Sequence, residues 1–201
     1  PLSSSAASDV YKRQSICGPN SKKILKKIFP DKDFSDDAFP HMSYQNGKID
    51  EINCRIMRIS FTGELSYEIN IESKYGKSLW EKCIEAGKEF KITPYGTETM
   101  HLLRAEKGFI IVGQDTDGTM TPIDLQMDWI VSKKKYDFIG KRSLYRSDTI
   151  REDRKQLVGL LTDDPNEILE EGAQIVSDMS KKPIEMIGHV TSSYFSPNLN
   201  K

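Results

Sequence analysis

One carboxylate in the chain stands in the middle of a strand-like run. Glu68 belongs to residues 65–71 (LSYEINI), in which apolar and polar side chains alternate. A glutamate at such a position either faces solvent on the polar side of a sheet or projects into a cavity. In a cavity it would accept a pair of hydrogen bonds from a planar donor, such as the edge of a pterin or guanine ring. The pattern alone leaves both interpretations open.

The other polar motifs predict neither a metal centre nor a nucleophile. Residues 113–118 (GQDTDG) resemble a calcium loop, but the twelfth ligand position of that template holds Asp124 instead of Glu, and no helix pair flanks the loop. A turn held by Asx hydrogen bonds is therefore favoured. The histidines His41, His101 and His189 are scattered, and the chain contains no HExxH, P-loop or GxGxxG motif.

Composition excludes several classes of protein. The 201 residues include 29 Lys and Arg against 30 Asp and Glu, and this balance disfavours a nucleic-acid binder. No apolar run reaches the roughly 18 residues of a membrane span. The cysteines Cys17, Cys54 and Cys83 are too far apart for a CxxC metal site and too few for a disulfide framework. Their spacing predicts a reducing compartment, and we expect the cytoplasm.

The elements that must position Glu68 form an α+β unit. Residues 19–29 predict a short helix that Pro30 ends, and residues 49–60 and 65–71 predict two strands of an antiparallel hairpin. Residues 78–90 predict a helix that buries Leu79, Trp80 and Cys83. A further helix is expected to be capped by Thr97 and to end at Gly108.

The chain is expected to divide into three parts. Residues 4–14 resemble the translation of a transposon-based sequencing adapter, so residues 1–14 are interpreted as a non-native segment outside the fold. Residues 15–150 are assigned to the α+β domain. Residues 151–201 contain short apolar runs at 157–161, 173–176 and 184–190, which predict a small β-barrel or sandwich. We expect both the α+β domain and the barrel to be truncated.

Four segments together resemble the aminomethyltransferase (glycine-cleavage T-protein) family. Residues 59–69 (ISFTGELSYEI) look like its Y-T-G-E-x-G-x-E-I motif, and residues 102–108 (LLRAEKG) are similar to its L-R-L-E-A-G segment. Residues 138–141 (FIGK) and 188–193 (GHVTSS) match two later signatures. The resemblance implies a folate-binding domain, incomplete at its N-terminal side, followed by a truncated β-barrel.

The resemblance also implies site residues. Glu68 matches the glutamate that binds the pterin ring, and Phe61 and Phe109 match aromatic positions that line the folate pocket. Met100 replaces an arginine that contacts folate in T-proteins, whereas Arg104 matches a second arginine with an expected structural role. The family's catalytic aspartate would lie upstream of Ser15, so no catalytic residue is assigned within the chain.

Within this family, the alpha subunits of heterotetrameric sarcosine oxidases are the nearer resemblance, through residues 96–101 (GTETMH), 113–119 (GQDTDGT) and 132–135 (SKKK). That branch implies oxidative demethylation of sarcosine, with capture of the one-carbon unit on tetrahydrofolate as 5,10-methylenetetrahydrofolate. FMN, FAD and NAD would belong to the parent complex, and the other subunits would be the partners. The alternatives are a glycine-cleavage aminomethyltransferase and a non-catalytic folate-binding or structural module.

Overall fold

A four-stranded antiparallel sheet organises the first half of the chain. The computed structural model describes residues 11–201. The strands, in the spatial order β1-β4-β3-β2, are β1 (Tyr11–Cys17), β2 (Tyr44–Ile49), β3 (Ile52–Met57) and β4 (Ser66–Glu72). Three helices accompany the sheet: α1 (Ser21–Ile28), α2 (Gly76–Gly87) and α3 (Thr97–Glu106). Short 3₁₀ helices at Ser73–Tyr75 and Lys88–Phe90 flank α2.

One face of the sheet carries the apolar core. The predicted alternation in β4 is confirmed, because Tyr67, Ile69 and Ile71 are all at most 1% exposed. Helix α1 packs against α2 over this face. The core also contains Leu25 of α1, Leu79 and Cys83 of α2, Ile56 of β3, and the aromatic cluster Phe29, Phe34 and Phe39. The side chains of β4 that alternate with Tyr67, Ile69 and Ile71 point to the opposite face of the sheet.

The expected helices and strands differ from the observed ones in detail. Strands β3 and β4 are antiparallel neighbours, with Ile56 opposite Ile69, as the predicted hairpin requires. The expected strand 49–60 is instead divided by a tight turn after Ile49, where Asp50 adopts a φ of 48°. Trp80 was expected inside but is 42% exposed. The N-cap of α3 is Gly96 instead of Thr97, which is the first helical residue.

The segment expected to lie outside the fold is partly inside it. Residues 1–10 lie outside the described part of the chain. Tyr11–Gln14, however, belong to β1 and pair with residues 69–72 of β4. The exclusion of these four residues from the fold is therefore wrong, because backbone pairing needs only N–H and C=O groups. Their adapter origin stays a prediction.

The chain separates into two compact units, Pro1–Phe109 and Ile110–Lys201. The second unit contains short 3₁₀ helices at Asp128–Ile130 and Lys141–Tyr145 and a two-stranded antiparallel sheet. Its strands are β5 (Gln174–Val176) and β6 (Met186–His189), within two of the predicted runs. Residues 157–161 are not a strand, because Leu157 exchanges hydrogen bonds with the loop at Asp124 and Gln126 instead.

The domain boundary expected after residue 150 stays a prediction. Within the described range, no helix is both long and apolar enough to cross a membrane.

Candidate functional site

Glu68 is buried on the face of the sheet that lies opposite the core. It shares this face with Ser66 and Asn70, because alternate residues of a strand point the same way. Only 7% of Glu68 is exposed, so its side chain does not face solvent. Its Oε2 atom has no hydrogen-bond partner among the described residues. A buried acceptor without a donor is costly, and a ligand with N–H groups would satisfy it.

Arg13 is the charged neighbour of this carboxylate. Its Nε lies 3.4 Å from Glu68 Oε2, and its side chain is 64% exposed. Arg13 is opposite Asn70 in the β1–β4 register, which places it on the same face as Glu68. The contact is an ion pair without hydrogen-bond geometry, and an exposed partner of this kind contributes little net free energy. The carboxylate therefore keeps acceptor capacity for a ligand.

A thiol and a phenol lie on the same side of the sheet. Cys17 is opposite Ser66 in the register, so it also faces the Glu68 side. The Cys17 thiol donates a hydrogen bond of 3.1 Å to the hydroxyl oxygen of Tyr95, in the loop before α3. Partial burial raises the pKa of this hydroxyl, and the negative charge of Glu68 raises it further. Neither Cys17 nor Tyr95 lies in a sequence motif that predicts their contact.

The predicted aromatic residues form a second group. The rings of Phe61 and His101 lie 6.2 Å apart, centre to centre, at an angle of 40°. Gly63 has a φ of +77°, and a Cβ on it would lie 2.6 Å from Lys107 Cβ and 3.5 Å from the ring of Phe109. Glycine therefore allows the turn after Phe61 to approach the end of α3. Phe61 and Phe109 remain 39% and 44% exposed, so both rings are open to a ligand.

Helix α3 joins the two groups. Tyr95 lies just before its first residue, His101 lies within it, and Lys107 follows its last residue. Met100 is half-buried beside His101 on this helix. Arg104 is buried, and its Nη1 donates to the backbone carbonyl of Phe109 at 3.1 Å. This contact holds Phe109 in place, which is how a structural arginine acts.

The arrangement suits a planar ring with polar edges. Glu68 offers an acceptor pair, and half-exposed aromatic rings offer flat apolar surface. The reduced pterin of tetrahydrofolate has adjacent N–H donors, which fit the unsatisfied Glu68 oxygen. Among the predicted site residues, Phe61 and Phe109 lie near the C-terminal end of α3. The structure places Glu68 with Cys17 and Tyr95, and it puts Met100 on the helix between the two groups.

The loop that resembled a calcium site is a hydrogen-bonded turn. Asp117 Oδ1 accepts from the backbone N–H of Thr119 at 2.7 Å and from its hydroxyl at 2.6 Å, as in an Asx turn. No cluster of three metal-ligating side chains occurs in the described range. In the same loop, Asp115 Oδ1 accepts from the hydroxyls of Thr191 and Ser192 at 2.6 and 2.9 Å. The loop 113–119 and the later signature 188–193 therefore contact each other.

A separate groove of about 510 Å³ lies beside α1. Its lining consists of Lys22, Lys23, Lys26, Lys27, Phe34, Ser35 and Phe90. Lys22 pairs with Asp36, Lys27 pairs with Glu89, and Lys26 donates to the carbonyl of Lys32. Two of the four lysines are thus ion-paired, and none of the lining residues belongs to the two groups around α3.

Two family models together match most of the chain. The model of the GCVT N-terminal domain matches residues 3–135, and the model of the glycine cleavage T-protein C-terminal barrel domain matches residues 155–201. The chain belongs to the glycine cleavage T-protein family. The predicted fold class is thereby confirmed: a T-protein-like α+β domain followed by the C-terminal barrel domain. The first match begins within the segment assigned to an adapter.

The relatives of this chain include sarcosine oxidase alpha subunits and aminomethyltransferases. The chain is 55% identical over 190 residues to sarcosine oxidase subunit alpha of Corynebacterium sp. (strain P-1), covering 92% of this chain and 20% of the relative. Sarcosine oxidase subunit alpha of Rhizobium meliloti (strain 1021) is 38% identical over 194 residues, which cover 95% of this chain and 20% of the relative. An aminomethyltransferase of Thermoanaerobacter pseudethanolicus (strain ATCC 33223 / 39E) is 35% identical over 96% of this chain and 50% of the relative. The chain thus spans about a fifth of its sarcosine oxidase relatives.

Proposed function

We propose that this chain is the folate-binding part of a sarcosine oxidase alpha subunit. The proposal is carried by one observation, the buried Glu68 carboxylate with an oxygen that no described donor satisfies. The 55% identity to a sarcosine oxidase subunit alpha, against 35% to an aminomethyltransferase, favours the oxidase branch. The family relationship supports tetrahydrofolate as the ligand.

In the proposed reaction, sarcosine is oxidised to glycine, and oxygen is reduced to hydrogen peroxide. Bound tetrahydrofolate supplies the two nitrogens that capture the one-carbon unit as 5,10-methylenetetrahydrofolate. Glu68 would orient the pterin through its N–H edge, while Phe61 and Phe109 would limit access of water to the ring. Met100 would add apolar contact from α3. FMN, FAD, NAD and the other subunits of a cytoplasmic heterotetramer belong to the proposed parent complex.

A glycine-cleavage aminomethyltransferase is the second candidate. It is supported by the 35% identity over 96% of the chain to an aminomethyltransferase. The same Glu68 site would then bind the same folate, without a flavin. The open reading frame before Ser15 distinguishes the two, since a dinucleotide-binding region there favours the oxidase. A purely structural role would predict no folate binding at all.

The first test is titration calorimetry with tetrahydrofolate. We expect this chain to bind weakly and to show no oxidase activity, and a chain extended at both ends to bind more tightly. In the extended chain, Glu68→Gln should lower affinity about 10- to 100-fold, because charge-assisted hydrogen bonds are lost.

Glu72→Gln is the matched control, since Glu72 ends the same strand but pairs with Lys74 at the surface. It should leave affinity unchanged. Equal tight binding by the short and extended chains would contradict the incomplete site. An unchanged affinity of Glu68→Gln would contradict the pterin contact.

A further inference from the structure

Tyr95 presents a hydroxyl group whose oxygen is already engaged. It accepts a hydrogen bond of 3.1 Å from the Cys17 thiol. A phenol oxygen that accepts from a thiol keeps its own proton for donation to another group. Tyr95 is 39% exposed, so this proton is within reach of a bound ligand. The hydroxyl is therefore a hydrogen-bond donor whose position is fixed by Cys17, the last residue of β1.

Three observations indicate where this donor lies. Cys17 is opposite Ser66 in the sheet, and Ser15 is opposite Glu68, so the thiol extends from the same face as the carboxylate. The Glu68 charge acts on the Tyr95 hydroxyl. The loop of Tyr95 leads directly into α3, the helix that carries Met100. The donor thus lies on the Glu68 side of the proposed folate site.

The phenol stays protonated at every physiological pH. Partial burial raises the pKa of Tyr95 above its usual range, and the negative charge of Glu68 adds to the effect. A neutral phenol next to a carboxylate gives the site two different groups, one a donor and the other an acceptor. Such a pair can distinguish ligands by the order of donors and acceptors along their edge.

We propose that Tyr95 is a specificity-determining residue that selects rings with a carbonyl beside the N–H edge bound by Glu68. This inference rests on the proposed folate function. The pterin ring of folates presents an amino group, a ring N–H and a carbonyl oxygen in succession. Glu68 accepts from the two donors, and the Tyr95 hydroxyl donates to the carbonyl. A 4-amino ring presents an amino donor to Tyr95 instead, so the two donors oppose each other.

The test compares folic acid (4-oxo) with aminopterin (4-amino), in which the carbonyl becomes an amino group and the adjacent ring N–H becomes an acceptor nitrogen. The second difference is the same for wild type and variant, so it cancels when the two proteins are compared. Dissociation constants are measured for the complete protein that contains this chain, as wild type and as Tyr95→Phe. The variant should bind folic acid about three- to tenfold more weakly, because one neutral hydrogen bond is lost. Its affinity for aminopterin should be unchanged or higher. The selectivity between the two ligands is the decisive quantity, since a general loss of structure would weaken both.

Two further variants complete the design. Cys17→Ala removes the group that holds the hydroxyl and should shift selectivity in the same direction by a smaller factor. Tyr44→Phe, an exposed position on edge strand β2, should leave both affinities unchanged. If wild type binds folic acid and Glu68→Gln weakens it, but Tyr95→Phe changes both ligands equally or neither, Tyr95 has no role in selection. If wild type binds neither tetrahydrofolate nor folic acid, the proposed function fails, and this inference fails with it. If it binds tetrahydrofolate but shows no preference for folic acid over aminopterin, only this inference fails.

Discussion

At the scale of single residues, Glu68 is shared between Arg13 and any ligand. Arg13 Nε lies 3.4 Å from the same Oε2 atom that has no hydrogen-bond partner. A ligand with N–H donors must therefore compete with a largely exposed guanidinium. Position 13 sets part of the electrostatic environment of the proposed site, although it lies 55 residues away in the sequence.

Removing this competitor should strengthen ligand binding. We expect Arg13→Gln to raise tetrahydrofolate affinity about two- to fivefold, the range of an exposed ion pair. The gain should shrink at high salt, where the pair is already screened. Titration calorimetry at two ionic strengths measures both effects. Lys12→Gln is the control, because Lys12 is opposite Ile71 and points to the other face. A weaker affinity of Arg13→Gln would show that the guanidinium itself holds the ligand.

At the scale of elements, a buried ion pair holds the second unit together. Arg154 donates from Nε to Asp124 Oδ1 at 2.8 Å and from Nη2 to Oδ2 at 2.5 Å. Its Nη2 also donates to the Thr119 carbonyl, and the backbone N–H of Thr121 donates to Asp124. The pair thus ties the loop after Asp117 to the segment that precedes residues 155–201, the match to the barrel domain.

This pair makes the stability of the second unit depend on pH. Arg154 lowers the pKa of Asp124 from 3.8 to about 2, and the Thr121 contacts reinforce the shift. A lowered pKa gives stability that is complete above pH 4 and is lost as pH falls toward 2, by about 2 kcal/mol. Unfolding measured across this range should show a shallower pH dependence for Asp124→Asn. At pH 7 the variant should be less stable by about 3 kcal/mol, because Arg154 is left unpaired.

Asp153→Asn serves as the comparison for Asp124→Asn. Asp153 pairs with Arg151 at the surface, at 3.3 Å, with 76% of its side chain exposed. Its substitution should change the free energy of unfolding by less than about 0.5 kcal/mol. Equal effects of the two substitutions would refute the special role of the buried pair.

The elements that sequence analysis missed share one physical property. Strands β1 and β2 lie at the two edges of the sheet. In β2 (YQNGKI) exposed and half-buried residues alternate, and only Ile49 is buried. An edge strand is held by backbone pairing with one neighbour, so its side chains carry little apolar pattern. The central strand β4 has partners on both sides and a full apolar face, and its alternation was predicted correctly.

The candidate site was predictable to a similar extent. Glu68 stood out because a carboxylate interrupts a regular strand, and the motif around it identified the family. The contact between Cys17 and Tyr95 joins residues 78 positions apart. Neither side chain is unusual where it stands in the sequence, because the strand register and the loop before α3 bring them together. Contacts of this kind are set by tertiary structure alone.

At the scale of the whole chain, the two units differ in how they are stabilised. Apart from Val190, the buried apolar side chains of residues 11–201 all belong to the first unit. The second unit exposes many large apolar side chains, among them Val112, Trp129, Tyr136, Ile139, Val158 and Leu161. Its segments are joined by polar contacts around Asp115 and Asp124. Apolar burial is the larger source of stability in folded proteins.

Native-state hydrogen exchange should therefore separate the two units. Amides in β3 and β4 should exchange at least about 100-fold more slowly than those in β5 and β6, since the short sheet lies over little buried apolar surface. Mass spectrometry of peptides from each sheet measures the difference. Exchange in one cooperative step at the same rate would show that the units unfold together, contrary to this expectation.

The pairing of Tyr11–Gln14 with β4 has a practical consequence for any recombinant version of the protein. A sheet edge accepts any non-proline backbone, so a purification tag or linker that replaces Tyr11–Gln14 can pair with β4 in the same way. Its side chain at position 13 would then lie on the face that carries Glu68. Affinities from differently tagged preparations should be compared only after the tag has been removed or matched.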